Sequence, residues 1–369
     1  MTRRLLTLNG LATICVVLYH ASGWGFVAMF WWTHRYLPVT SPNFDQIGST
    51  AYFALRTVEQ LVSFAIPAFL FVSGVFAAMA ASRSDRGEVW RGIGRRLLQL
   101  VLPYLIWSAV MLALEAAQGA TLTPLQIVRI LLTGRATSAF YFVPLLCQLY
   151  LLSPLLIGLA EAHPWRLLSI AAAVQLVVRG LQAGQSLGAL QMDGALLLLV
   201  TSGWFFAGNL AWFSLGMVAS RHPQAFASVA TRGRAAWLGF SLLLVPVGLL
   251  EWEWMLRSSG GAWLDPHETV LDNLYALSFL LAFLGHSAAR LPFDRRLGEL
   301  GTRSYGVYLV HSLALILLAK GVYALAPRLL GLPLLFQAVL VVGGLGLPVL
   351  LMAGVRRSRL RAAYGLLFG

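Results

Sequence analysis

The sequence predicts an all-α, polytopic integral membrane protein of about ten transmembrane helices, with both termini in the cytoplasm. Of its 369 residues, 59% are hydrophobic and only 11% are charged, whereas a soluble domain carries roughly a quarter charged residues. Apolar runs long enough to cross a hydrocarbon core of ~30 Å recur along the whole chain, and the basic residues fall in alternate loops. No change of composition marks a second domain, so residues 1–369 are interpreted as a single transmembrane domain.

Ten predicted spans follow from the apolar runs and the polar breaks between them. They cover residues 7–32, 50–81, 97–117, 137–160, 167–184, 195–219, 236–255, 269–288, 300–320 and 333–355. The first run is too long for the apolar core of a cleavable signal peptide, so we expect it to be retained. Between spans, the polar, proline-containing residues 33–49 are a candidate lid. Residues 124–135 carry apolar side chains at helical spacing and predict a short interfacial or re-entrant helix.

The basic residues give the predicted helices an orientation. The formal net charge is +13, but the arginines lie in short loops between apolar runs, which excludes a nucleic-acid partner and indicates topology instead. Most of them fall in residues 3–4, 83–96, 166, 221–234, 290–296 and 356–361. These segments share one side of the membrane only if the number of spans is even, so both termini are expected in the cytoplasm. The expected location is a bacterial inner membrane, with the lipid bilayer as partner.

Two histidines fall at membrane depth, where an ionisable group is costly and is therefore a functional candidate. His20 lies about 20 Å along the first span, and Asn9 shares its face because eleven residues make three turns. In the ninth span, Ser304, Tyr308 and His311 follow one helical face. Histidine titrates near neutral pH and suits a general base. A structural role, with the ring bonded to a neighbouring helix, is the alternative for each histidine.

Other polar side chains at depth are further candidates. Arg56 and Glu59 lie close together in the outer third of the second span, where an ion pair is expected, either for substrate binding or for structure. Tyr141 lies on a polar face of the fourth span. The sequence contains no phosphate-binding loop, nucleophile elbow or zinc-binding helix, so no metal site and no tightly bound cofactor is expected.

Five short motifs resemble the membrane acyltransferase-3 family, which includes bacterial O-acetyltransferases of surface polysaccharides. The motifs lie in the family's order over about 300 residues, and ten spans is the family's usual architecture. They are LNGLATICVVLYHASGW (residues 8–24), IPAFLFVSGVF (66–76), RRLLQLVLPYLIW (95–107), FYFVPLLCQLYLLSPLL (140–156) and SYGVYLVHSL (304–313). One position departs from the pattern, because Asn9 stands where the family carries an arginine. That arginine's role is not transferred to Asn9, and Arg4 and Arg95 are the expected substitutes.

The resemblance implies an acyltransferase that uses acyl-CoA, with acetyl the expected group. It implies that the CoA phosphates bind Arg91, Arg95 and Arg96, for which plain topology is the alternative. The acceptor would be a hydroxyl of a glycan or lipid-linked sugar. His20 is the expected base, while Tyr308, His311 or Ser73 would polarise the carbonyl or orient the acceptor.

Two other functions stay open at this point. A transporter or flippase for a glycan or lipid-linked intermediate would also need polar residues at depth, although the sequence shows no internal repeat of the kind found in many transporters. A catalytically inactive partner in a synthesis complex would have neither activity alone.

Overall fold

A computed structural model describes residues 2–81, 86–190, 194–264, 268–287, 289 and 292–369. Within them the chain forms sixteen α-helices joined by short 3₁₀ and π turns and loops. The helices are α1 Thr2–Phe26, α2 Thr50–Val62, α3 Ala65–Ala81, α4 Arg86–Ala117, α5 Pro124–Thr133, α6 Phe142–Ala162, α7 Pro164–Ser186, α8 Ala195–Val200, α9 Leu210–Arg221, α10 Pro223–Arg232, α11 Arg234–Ser259, α12 Val270–Gly285, α13 Asp294–Gly301, α14 Ser304–Leu325, α15 Pro333–Arg357 and α16 Tyr364–Phe368. Arg83 and Arg290, from two predicted basic loops, lie outside the described residues.

The prediction of an all-α, polytopic membrane protein is confirmed. In the described part of the chain, eight stretches are long and apolar enough to cross a membrane. They are Arg3–Trp31, Thr50–Ala81, Gly87–Ala117, Phe142–Ala162, Pro164–Ser186, Arg234–Ser259, Ser304–Leu325 and Pro333–Arg357. Each corresponds to one of the ten predicted spans.

The two remaining predicted spans take other forms. Residues 269–288 form the shorter apolar helix α12, whose 16 residues extend about 24 Å at 1.5 Å per residue. Residues 195–219 are not one helix, because the chain leaves helical geometry between α8 and the 3₁₀ turn Phe206–Asn209 that precedes α9. The free backbone groups are satisfied by neighbouring helices. Gln148 donates to the Trp204 carbonyl (2.8 Å) and accepts from the Phe206 amide (3.2 Å), while Gln182 donates to the Thr201 carbonyl (2.7 Å).

The predicted second span contains a break of its own. Helix α2 ends at Val62 and α3 begins at Ala65. Pro67 has no N–H, so it cannot donate to the Ser63 carbonyl, and the helix is interrupted one turn before the proline. Ser63 then bonds locally, its hydroxyl donating to the Gln60 carbonyl at 3.0 Å. The bend separates the polar outer segment α2 from the apolar segment α3.

Helices α3 and α9 cross in direct backbone contact. A Cβ atom at Gly74 would lie 2.1 Å from the Phe213 carbonyl oxygen, and one at Gly216 would lie 2.0 Å from the Phe71 carbonyl oxygen. Only glycine permits this approach, which is the usual way that membrane helices pack closely. The crossing places α3 at the centre of the bundle, between α1, α6 and α9.

The predicted interfacial helix at residues 124–135 is present as α5. Thr123 and Gln126 form a reciprocal capping box at its start, and Gly134 ends it in the left-handed conformation (φ 71°). None of its side chains is buried, and Leu125 and Leu132 are exposed. An amphipathic helix with an uncovered apolar face is typical of a segment that lies along the membrane surface.

Candidate active site

The two predicted intramembrane histidines lie side by side. The ring centroids of His20 on α1 and His311 on α14 are 5.2 Å apart. The Nδ1 atom of His311 lies 2.5 Å from the Tyr308 carbonyl oxygen, which can only accept, so Nδ1 carries the hydrogen. Neutral His311 therefore has its lone pair on Nε2. His311 is fully buried, whereas His20 keeps part of its surface accessible.

The hydroxyl of Tyr308 is already engaged. It donates a short hydrogen bond to the Ala139 carbonyl, and the Tyr308 ring packs against Phe142 with centroids 5.7 Å apart. A group that polarises a substrate carbonyl needs a free hydrogen, and this one is committed to the backbone. The structure thus gives Tyr308 a role in joining α14 to the segment before α6 and in holding His311 through its carbonyl.

His20 and its neighbour Tyr19 are only partly buried, as is Tyr141 immediately before α6. The rings of Tyr19 and His20 pack edge to face with centroids 5.5 Å apart. Among the described residues, the hydroxyls of Tyr19 and Tyr141 and the ring nitrogens of His20 have no hydrogen-bond partner.

The sequence interpretation missed an ion pair between α7 and the segment that precedes α12. Arg179 on α7 pairs closely with Glu268, and its other terminal nitrogen donates to Gln182 at 3.0 Å. Burial raises the pKa of the Glu268 carboxyl above its ordinary value, and the Arg179 guanidinium opposes part of that rise. The sequence does contain a signal for this pair, because Arg179 lies within the predicted span 167–184, where a charged residue is a functional candidate.

The expected pair of Arg56 and Glu59 is present and buried. Their side chains are in close contact, with 9% and 6% of their surfaces exposed. The guanidinium carbon of Arg56 also lies 3.5 Å from the centroid of the Trp252 ring, a cation–π contact. Glu59 is within electrostatic range of Tyr19. Both charges are thus compensated inside the protein.

The predicted arginine cluster lines the largest cleft described at the other end of the bundle. This cleft, of about 1200 Å³, lies between α3, α4 and α6, and we call it the basic cleft. Arg91, Arg95 and Arg96 are exposed on its wall. The buried residues Tyr150 and Ser153 and the exposed residue Gln99 line it as well.

Helix α3 connects the basic cleft with the histidines. Phe76 and Ala77 line the cleft, and Ser73 lies one turn deeper on the same helical face. Ser73 is partly accessible and has no hydrogen-bond partner among the described residues. One further turn along, Phe69 packs against Phe142 (centroids 6.0 Å apart), which contacts Tyr308 beside His311.

Of the expected substitutes for the missing family arginine, Arg4 is already bound. Its guanidinium donates to the carbonyls of Phe283 (3.0 Å) and His286 (3.2 Å) and lies 4.2 Å from the Phe283 ring centroid. Arg4 thereby satisfies carbonyls at the end of α12. Arg95, by contrast, is exposed in the basic cleft. The side-chain oxygen of Asn9 is buried without a hydrogen-bond partner in the described structure.

Fold and site together define a polytopic membrane protein with paired histidines at its centre and a basic cleft at one end. The model of the acyltransferase-3 family, described as "Acyltransferase domain", matches residues 7–353. The chain therefore belongs to this family and is a membrane acyltransferase by family, which confirms the resemblance seen in its five motifs. No curated protein and no solved structure matches the chain.

Proposed function

We propose that the protein transfers an acyl group, acetyl in the first instance, from acyl-CoA to a hydroxyl of a glycan or lipid-linked sugar. The observation that supports this most is a path of side-chain contacts, which leads from the basic cleft along α3 through Phe69, Phe142 and Tyr308 to the pair of His20 and His311. A donor with an anionic head and a long neutral arm suits the order of basic and apolar residues along it. The basic cleft is proposed to face the cytoplasm, where acyl-CoA is made, and the membrane to be the bacterial inner membrane.

The head of the donor would bind the arginines. Guanidinium groups bind phosphate oxygens through paired hydrogen bonds, and Arg91, Arg95 and Arg96 are exposed on one wall of the cleft. Beyond them the path carries no charge on α3. Asn9 shares a face of α1 with His20 and has an unpartnered amide oxygen, so its amide suits the amide groups of the pantetheine arm. A neutral amide would there replace the charge that other family members carry.

Acyl transfer itself would use the histidine pair. His20 takes the proton from the acceptor hydroxyl as its oxygen attacks the thioester carbon. The carbon–sulfur bond then breaks, and the proton passes from His20 to the departing thiolate, so that CoA leaves as the thiol. His311, held through Nδ1 and with its Nε2 3.5 Å from the Ser312 hydroxyl oxygen, would orient the acceptor beside His20, and Ser73 would donate to the carbonyl oxygen that gains charge.

A comparison of two donors tests the role of the arginines. The full-length protein in nanodiscs is assayed with radiolabelled acetyl-CoA and with acetyl-pantetheine, which lacks the phosphates, using isolated envelope glycan as acceptor. We expect the triple variant Arg91→Gln, Arg95→Gln and Arg96→Gln to raise KM for acetyl-CoA by about tenfold or more. Its KM for acetyl-pantetheine should hardly change. Equal effects on both donors would contradict phosphate binding at this cleft.

Replacement of His20 tests the chemistry. His20→Ala is expected to lower kcat by about 10²–10⁴-fold, the usual contribution of a general base. His34→Ala is the matched control, because His34 lies outside the bundle interior, is exposed and bonds to the Tyr323 hydroxyl at 3.3 Å. Unchanged transfer by His20→Ala at equal protein level would refute the role of His20.

Transport of a glycan or lipid-linked intermediate is the second candidate. It is favoured by the interruption between α8 and α9, since broken membrane helices are common at transporter substrate sites. Purified protein distinguishes the two functions, because an acyltransferase releases CoA when an acceptor is added and a transporter does not. A catalytically inactive partner protein would show neither CoA release nor transport by itself.

A further inference from the structure

After α15 the chain turns back into the bundle and packs against α4. Residues Arg359–Ala363 form a 3₁₀ turn, and α16, Tyr364–Phe368, follows it directly. Phe368 is only 2% exposed, and a Cβ atom at Gly306 on α14 would lie 3.0 Å from the Phe368 Cβ. Helix α16 is thus packed between α4 and α14. We call residues Tyr364–Phe368 the strap.

Two contacts join the strap directly to α4. The indole Nε1 of Trp107 donates to the Leu367 carbonyl at 2.8 Å, and the ring centroids of Trp107 and Phe368 are 6.3 Å apart. Trp107 is itself buried. Because a buried indole N–H needs an acceptor, the strap satisfies a polar group of α4 as well as packing against it.

The strap also reaches the wall of the basic cleft. Gly369, which follows the strap, is so close to α4 that a Cβ atom there would lie 3.4 Å from the Gln99 carbonyl oxygen and 2.7 Å from Cδ1 of Tyr305. Tyr305 in turn donates to the Leu100 carbonyl at 2.5 Å. Gln99 lines the cleft, and Arg95 lies one turn before it. Helix α4 is therefore held at the turn that follows its arginines.

The part of α4 that carries the arginines has little other support. In the described structure, α4 contacts α16 about as extensively as α6 and more than α3 or α14, and most of residues 87–99 are exposed. Pro103 lies inside α4 and has no N–H to donate to the Gln99 carbonyl, so the helix lacks one of its own hydrogen bonds beside the strap. The contacts at residues 99–107 therefore orient this half of the helix.

We propose that the strap positions α4, so that the arginines of the basic cleft stand in the arrangement that binds an anionic donor. This inference rests on the proposed acyltransferase function, in which Arg91, Arg95 and Arg96 bind the CoA phosphates. The residues of the strap act on the donor through α4 and are positioning residues. Loosening the strap lowers the fraction of molecules with α4 in place, and the apparent affinity for the donor falls in proportion to that fraction.

Two variants loosen the strap to different extents. Phe368→Ala removes a buried ring, whereas Trp107→Phe keeps an aromatic ring and deletes the N–H that bonds to Leu367. In nanodiscs with envelope glycan as acceptor, we expect KM for acetyl-CoA to rise about tenfold or more in Phe368→Ala and about two- to tenfold in Trp107→Phe. In both variants kcat should change less than about twofold, because saturating donor selects the molecules with α4 in place. KM for acetyl-pantetheine should hardly change.

The controls make the same exchanges at exposed positions on other helices. Trp165→Phe on α7 matches Trp107→Phe, because Trp165 is 77% exposed. Phe240→Ala on α11 matches Phe368→Ala at an exposed ring. Neither control should change KM for either donor.

The position of α4 is measured without reference to activity. Spin labels at Leu98→Cys on α4 and Ile170→Cys on α7, both exposed, report the distance between the two helices in protein that also carries Cys15→Ala and Cys147→Ala. In Phe368→Ala we expect a broader distance distribution than in wild type, which acetyl-CoA narrows again. The two control variants should keep the wild-type distribution.

Three results would overturn the proposal. They are a wild-type distance distribution in both strap variants, equal rises of KM for acetyl-CoA and acetyl-pantetheine, and a fall in kcat at unchanged KM. If Phe368→Ala does not fold, Trp107→Phe decides by the same measurements. Absence of CoA release by the wild-type protein with any acceptor would instead refute the acyltransferase function, and the label distances would still decide whether the strap positions α4.

Discussion

Replacement of Glu59 by leucine is expected to destabilise the protein strongly. The change keeps the approximate size of the side chain but leaves the Arg56 charge without its carboxylate, at a position where only 9% of the Arg56 side chain is exposed. Breaking a buried pair by removing one partner costs about 3–5 kcal/mol. The contact of Arg56 with Trp252, at 3.5 Å, exists with or without Glu59, so it does not reduce this loss.

Thermal unfolding in dodecyl maltoside, followed with a thiol-reactive dye, measures the effect. Cys15 is buried and free, and all variants carry Cys147→Ala to remove the second, partly buried thiol, so the dye reports the exposure of Cys15 on α1. A loss of this size should lower Tm by about 5 °C or more. The double variant Arg56→Met with Glu59→Leu removes both charges and should recover most of the stability, since apolar replacements of buried pairs are often neutral or better. A single variant within about 1 °C of wild type, or a double variant no better than the single, would refute the reasoning.

Two further predictions concern packing. Gly74→Ala should lower Tm by several degrees, because its Cβ would lie 2.1 Å from the Phe213 carbonyl oxygen. Gly239→Ala in α11 is the control, since a Cβ there meets nothing within 4 Å, and it should be neutral or stabilising by up to about 1 kcal/mol. Equal effects of the two variants on Tm would contradict the close α3–α9 contact. Arg4→Met should speed amide hydrogen exchange at the end of α12, because it removes hydrogen bonds at 3.0 and 3.2 Å to its terminal carbonyls, and unchanged exchange there would exclude this capping role.

The membrane fold could be predicted because lipid imposes a simple rule on the sequence. A helix that crosses the bilayer must be apolar over its length, and eight predicted spans obey that rule as long helices. The break in the helix at residues 201–205 could not be predicted from the sequence, because the rule concerns only how apolar the side chains are. Its peptide groups are satisfied by Gln148 and Gln182, which lie on other helices, and only the tertiary structure brings these partners together.

The candidate site was predictable to the extent that single residues at membrane depth are unusual. His20 and His311 were identified by that criterion, and the structure places them together. Arg179 also lies at membrane depth and meets the same criterion, although it was not among the predicted site residues. The roles of Tyr308 and Arg4 could not be read from the sequence, since both depend on carbonyl groups of distant segments, Ala139 and the end of α12.

The distribution of charge along the proposed path indicates which part of a donor each end would bind. Three exposed arginines line the basic cleft, α3 carries no charged residue beyond them, and the buried charges cancel in pairs, Arg56 with Glu59 and Arg179 with Glu268. An anionic head is therefore favoured at one end alone, and a neutral arm is favoured next to it. Acyl-CoA, the proposed donor, has its charges and its thioester in that order, so under the proposed function the arginines of α4 would bind its phosphates and no cation would be required at position 9.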